Sequence, residues 1–122
     1  MAKKPGFSAV LDAARALPDV EQSTAWGAAG LKVGGKLLAC QAIHKSAEPN
    51  SIVVKIPIDQ RDELIATDPD VYYVTDHYVN FPSVLVRLSR IHRDALRDLL
   101  GMAWKFASAD KPRKRSGRST RA

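Results

Sequence analysis

The sequence predicts an α+β domain, an antiparallel sheet with helices packed on one face. Three observations lead there. Apolar residues recur at helical spacing near both ends of the chain and briefly in the middle, the stretches between are short β-rich runs, and a Gly-Gly pair separates two of those runs. Short links between strands favour antiparallel neighbours, and a sheet with one apolar face needs a helical cover.

The elements follow in order. Phe7, Val10, Leu11, Ala14 and Leu17 fall on one helical face, and Pro18 stops the pattern. From Ser23 glycines punctuate extended runs: Thr24-Ala25-Trp26, Leu31-Lys32-Val33 and, after Gly34-Gly35, Lys36 to His44. Glycine reaches the positive backbone angles of a two-residue hairpin turn, so the pair predicts one. Lys45 to Asn50 reads as a loop. Ser51 to Ile58 alternates, with Ile52, Val54, Ile56 and Ile58 on the buried side and Lys55 opposite. Asp59 is placed to cap a second helix that turns Leu64 and Ile65 inward and ends at Asp68-Pro69-Asp70. Val71 to Thr75 and Val84 to Ser89 read as two more strands, separated by Asp76 to Pro82. A last helix from about Arg93 to Phe106 sets Leu96, Leu99, Leu100, Ala103, Trp104 and Ala107 on one face. Counted this way, the order is helix, three strands, helix, two strands, helix.

With 122 residues, 45% hydrophobic and 26% charged, the chain is sized for one globular domain that buries a core without metal or disulfide staples. Cys40 is the single cysteine, which excludes an internal disulfide and fits a reducing cytoplasm. No run approaches the roughly 18 apolar residues of a membrane span, and Met1 to Phe7 lacks the apolar stretch of a signal peptide. The expectation is a cytoplasmic monomer with no cofactor and no membrane partner.

The charge is uneven. A balance of 19 Lys+Arg against 13 Asp+Glu, net +6, invites a nucleic-acid partner. Eight of the basic residues, however, lie in two short ends that hold no acid: Lys3, Lys4 and the six between Lys111 and Arg121. Residues 5–110 keep 11 basic and all 13 acidic residues, a net of −2. The globular domain is drawn at residues 5–108, and residues 109–122 form a basic tail. From Lys111 onward no apolar side chain exceeds alanine, so burial cannot offset the entropy of ordering, and disorder is expected. Such a tail either binds phosphate or only solubilises, and both readings stay open.

Several blocks in order resemble one known group. They are Ala16-Leu17-Pro18-Asp19-Val20-Glu21-Gln22-Ser23, Trp26-Gly27, Leu31 to Ala39, and Lys55 ahead of Asp59-Gln60-Arg61. The likeness continues through Thr75-Asp76-His77-Tyr78, Pro82, Val84 to Leu88 and Ala103-Trp104, covering about residues 8 to 108. The chain resembles the MmcQ/YjbR-like proteins, whose fold is similar to CyaY, the bacterial frataxin. The resemblance implies a compact α+β domain with paired β wings, a double-wing arrangement described as DNA-binding. Two positions depart from the pattern. His92-Arg93 stands where an acidic N-cap is usual before the last helix, and residues 7–17 contain only Asp12, whereas iron-binding frataxins have an acid-rich first helix.

For nucleic acid, the candidate residues are Lys32 and Lys36 astride the Gly-Gly turn, Lys45, Lys55, Arg87, and Lys111, Arg113, Lys114, Arg115 and Arg118 of the tail. Arg93 and Arg97 are matched by Asp94 and Asp98, so the last helix is not a recognition helix, and weak, sequence-tolerant phosphate contact is the expectation. The alternative is a protein or small-ligand binding module with a groove at Trp26, His77 and Tyr78, and with no nucleic-acid role. A third reading is an enzyme centred on His77, but Asp76 and His77 are sequence neighbours that point apart in extended chain. Gly30 to Leu37 has the glycine and lysine spacing of a phosphate loop. It ends in Leu37 where that motif needs a Ser or Thr, and a strand follows it rather than a helix. Cys40, His44 and His77 are the soft-ligand candidates, and no close-spaced pair completes a four-ligand metal set. The leading expectation is therefore a non-enzymatic protein that binds DNA weakly through phosphate contacts from the hairpin wings and the basic tail.

Overall fold

The computed structural model describes residues 7–25 and 28–109. Its elements are α1 (Phe7–Ala14), β1 (Val20–Ala25), β2 (Ala28–Val33), β3 (Lys36–Gln41), β4 (Ser51–Lys55), α2 (Ile58–Thr67), β5 (Tyr72–Tyr73), β6 (Ser83–Arg87) and α3 (Arg93–Ala109). The strands form one sheet in the order β1-β2-β3-β4-β6-β5, antiparallel at every pairing. This is the expected α+β architecture.

Val10, Ala14, Leu96, Leu99, Leu100 and Ala103 of α1 and α3 join Leu31, Ile52, Val54, Val84 and Val86 of the sheet in one core. The strand alternation predicted this face: Ile52 and Val54 are fully buried in it. Burying a side chain of that size stabilises by about 1.5–3 kcal/mol, so this layer is the main source of stability. Trp104, predicted as core, is only partly buried, and its indole N–H donates to the Pro18 carbonyl at 2.8 Å, tying α3 to the segment before β1.

Several boundaries differ from expectation. Four strands precede α2 rather than three. Val20–Ala25 form the edge strand β1, whose Glu21, Gln22 and Thr24 are all exposed, so it carries no apolar alternation. The first helix ends at Ala14. Arg15 and Leu17 instead donate to the Asp12 and Ala14 carbonyls in i→i−3 turns, as the approach to Pro18 disfavours helical backbone. Pro57, not Asp59, occupies the N-cap of α2, and Asp59 lies in its first turn. β3 ends at Gln41 instead of His44, and β5 is two residues long. α3 runs on to Ala109. Its N-terminus is satisfied by the residue that looked like a weak cap, because the Asp94 amide donates to His92 Nδ1 at 3.1 Å.

The Gly34-Gly35 turn is as predicted, with φ of 57° and 81°, the positive pair that a type I′ hairpin requires. Just after it comes a β-bulge. Leu31 pairs with Ala39 and Lys32 with Leu37, so Leu38 has no partner on β2. The bulge sends Leu38 and Ala39 both into the helix-side core and leaves Leu37 and Cys40 on the opposite face.

Candidate functional site

Among the described residues no helix packs on that opposite face. Cys40, Val53 and Leu85 lie side by side across β3, β4 and β6 and form a second, smaller apolar cluster with Leu37, Tyr73 and Tyr78 at its margin. Two loops rise from its edges, 42–50 after β3 and 74–82 before β6. Between them and the sheet is an open cavity of about 900 Å³. Its floor is Leu37, Cys40, Val53, Lys55 and Ser83, and its walls are Ile43, His44 and Lys45 on one side and His77, Tyr78 and Phe81 on the other.

The walls meet at a pair of imidazoles. The rings of His44 and His77 stack with centroids 3.5 Å apart and planes 8° from parallel, and the Tyr78 ring stands edge-on to both. The Ser46 amide donates to His44 Nδ1 at 3.0 Å. An amide can only donate, so Nδ1 is the unprotonated nitrogen and Nε2 carries the hydrogen. The Ser46 hydroxyl also lies 2.8 Å from Nδ1, and 2.8 Å from the Thr75 hydroxyl of the other loop. With Nδ1 unprotonated, the Ser46 hydroxyl donates to it and accepts from the Thr75 hydroxyl. Desolvation, then His77 and Lys45, hold the His44 pKa below its ordinary value, which favours a neutral His44 in the stack.

Two arginines that the sequence did not single out, or assigned elsewhere, hold the walls in place. Arg61 on α2 is 5% exposed; its Nη1 donates to the carbonyls of Val79 (2.8 Å) and Phe81 (3.3 Å), and its Nε to Asp62 (3.0 Å). A lone arginine among Asp59, Asp62 and Glu63 looks like any solvated helix face, so no periodic signal could have found it. Arg87, a candidate phosphate contact, makes a bidentate pair with Glu48 at 2.9 and 2.6 Å, donates to the Pro69 and Asp70 carbonyls, and lies 4.1 Å over the Tyr73 ring. The pairing holds the Glu48 carboxyl below its usual range. The Tyr73 hydroxyl accepts from the Glu48 amide at 2.8 Å and meets the Ser51 hydroxyl at 2.7 Å, so the 42–50 loop is fastened to the sheet. A phosphate at Arg87 would have to displace Glu48.

The other candidates are spread over the molecule. Lys32 lies on the open face opposite Glu21 of β1, while Lys36 pairs with Val33, whose side chain belongs to the helix-side core; the two turn lysines thus fall on opposite faces of the hairpin. Lys45 is exposed at the cavity's rim, and Lys55, on the predicted face, lies in the floor beside Ser83, its partner in the β4–β6 register. Burial lowers the Lys55 pKa and raises that of the Cys40 thiol, which keeps Cys40 protonated and a poor nucleophile. His77 and Tyr78 lie together in one wall of the cavity, their rings edge to face. Trp26 and the tail residues Lys111, Arg113, Lys114, Arg115 and Arg118 lie outside the described residues. Among the described residues no group of three or more His, Cys, Asp or Glu side chains is placed to hold a metal ion, and no helix is long and apolar enough to cross a membrane.

Known proteins share this architecture. The crystal structure of Deinococcus radiodurans protein DR2400, a DUF419 domain, matches with a TM-score of 0.71 over 88% of this chain and 81% of its own, at 17% identity, which shows a common fold. Uncharacterized proteins of Mycobacterium bovis and Mycobacterium tuberculosis are 31% identical over 87 residues, 60% of this chain and 67% of theirs. The YjbR family model matches residues 15–106, from the end of the first helix through most of the last and including every wall and floor residue of the cavity. The chain belongs to the YjbR family.

Proposed function

We propose that this protein is a non-enzymatic, cytoplasmic binding module for a small molecule, held in the cavity on the helix-free face of the sheet. One observation carries the reading: a concave, largely apolar floor on rigid strands is walled by two loops that are pinned to each other and to the body through Ser46–Thr75, Arg61 and Arg87. Ligand sites are typically such pre-formed apolar concavities with a few placed polar groups, and this one falls within their usual size of roughly 300–1,000 Å³. Large apolar side chains stand exposed at its rim, Ile43 at 61% and Phe81 at 52%, where a ligand would cover them. His77, the candidate for catalysis, stacks on His44, and among the described residues no carboxylate is bonded to either ring. A fragment screen by heteronuclear NMR tests the reading. Hits should shift the amides of Cys40, Val53, His77 and Phe81 together, whereas hits scattered over other surfaces would refute it.

Nucleic-acid binding is the second reading, supported by the exposed Gly34-Gly35 turn between Lys32 and Lys36 and by the basic tail. If the tail's six charges engage a duplex, the log-log salt slope will be about −5. Equally negligible duplex binding by the full chain and by a truncation after Ala109 would rule this reading out.

A further inference from the structure

The cavity's charge is one-sided. Its ionisable lining is Lys45, Lys55, His44 and His77 with Cys40 and Tyr78, and among the described residues no Asp or Glu lines it. Lys55 and Ser83 are directly opposed across β4 and β6, which sets their Cβ atoms about 4.5–5.5 Å apart, close enough for both to reach one small anionic group. Among the described residues Lys55 forms no ion pair or hydrogen bond, although it is half-buried in an apolar floor. An ammonium so placed is under-solvated, and an incoming anion is the partner that relieves it. The remaining surface suits a flat apolar body: Phe81 is half exposed at the rim, Tyr78 lines the same wall, and Leu37 and Val53 line the floor.

We infer that the cavity takes a small aromatic carboxylate, with its anionic head on Lys55 and Ser83 and its ring against Phe81 and Tyr78. The inference rests on the small-molecule reading above. A single negative charge matches the one cation of the floor. A phosphate or pyrophosphate would bring a second charge that only Lys45, exposed to water at the rim, could meet, so desolvating it in the floor would cost more than the site returns. Metal chelates are disfavoured for a related reason, since the lining offers no carboxylate. Burial holds the Lys55 ammonium below its ordinary pKa, and a bound carboxylate would raise it again.

Naphthoate and its neutral isostere naphthamide, titrated into the full-length protein and followed by heteronuclear NMR, separate charge from shape. Naphthoate is expected to bind at least about tenfold more tightly, the effect of one charge-assisted hydrogen bond. Lys55→Met should reduce that preference to within about threefold, with unchanged amide shifts of Val54 and Leu99 in the helix-side core reporting an intact fold; Lys55→Gln should behave alike. Phe81→Ala should weaken both compounds. Equal affinity for the two, or a preference that survives in both Lys55 variants, would overturn the carboxylate inference and leave the small-molecule reading standing. If neither compound moves the amides of Cys40, Val53 and Ser83, the aromatic-carboxylate inference fails, and the fragment screen decides the small-molecule reading by itself.

Discussion

Arg61→Leu is the most informative single substitution, because it removes the clamp on the cavity's outer wall without touching the cavity. Hydrogen bonds to a charged donor contribute about 1.5–3 kcal/mol each, and the guanidinium makes two to the loop carbonyls. Two effects reduce that sum. Val79 and Phe81 are 38% and 52% exposed, so water can take over part of both carbonyls, and a leucine spares the desolvation of a guanidinium that is 5% exposed. The expected net loss is therefore about 1–2 kcal/mol. In urea it appears as a lower midpoint at unchanged m-value, and on heating as a fall of roughly 4–8 °C per kcal/mol for a domain of about 100 residues. The loss should also be local. The amides of Tyr78, Phe81 and Ser83, which donate to Thr75, Tyr78 and Phe81, should exchange faster, while Val54 in the helix-side core keeps pace with global unfolding. Asp62→Asn is the control: the Asp62 side chain is 63% exposed, and loss of its ion pair should cost less than about 0.5 kcal/mol. A change under about 0.5 kcal/mol for Arg61→Leu, or loop exchange no faster than in the native chain, would refute the clamp.

Three further expectations follow from single contacts. Trp104→Phe deletes the indole bond to Pro18 and part of a large ring, and should cost about 1–2 kcal/mol in chemical denaturation; a cost below about 0.3 kcal/mol would show the bond to be incidental. His92→Ala removes the acceptor for the Asp94 amide and should cost about 0.5–1 kcal/mol, with His92→Ser restoring most of it in the same assay. The stack of His44 on His77 should open as His44 is protonated in acid. Because the folded pKa of His44 lies below its ordinary 6.5, the unfolded chain takes up that proton more readily; the stack's contribution is complete above pH 6.5 and is lost as the pH falls through the lower, folded value. An NMR titration of the ring protons checks this, and a His44 midpoint at or above 6.5 would contradict it.

The helix-side core was legible because its signal is local. Ile52, Val54 and Ile56 alternate, Leu96, Leu99, Leu100 and Ala103 recur at helical spacing, and both sets are buried as their periods require. Gly34-Gly35 was legible for the same reason, since two adjacent positive φ angles are a property of two residues. The open face was less so. Strict alternation through β3 groups Cys40 with Leu38 and His44. The unpaired Leu38 breaks that parity and sets Leu37 beside Cys40 instead. Tyr78 and His77 drew notice as loop aromatics and Lys55 as an outward charge, yet their convergence over one floor left no mark in the order of residues.

What the sequence determined by itself is thus the α+β class, the buried faces, the hairpin turn, the family, and the concentration of positive charge in the two ends. Tertiary structure decided which of those parts meet. Ser46 reaches Thr75 across 29 positions, Arg61 holds carbonyls 18 and 20 positions away, and Arg87 finds Glu48 across 39. Periodicity reports a residue's direction relative to its own backbone, whereas these contacts depend on strand register, the bulge and the course of two loops. Those are set by the packing of the whole chain, which is why a domain core could be read along the sequence and the cavity on its other face could not.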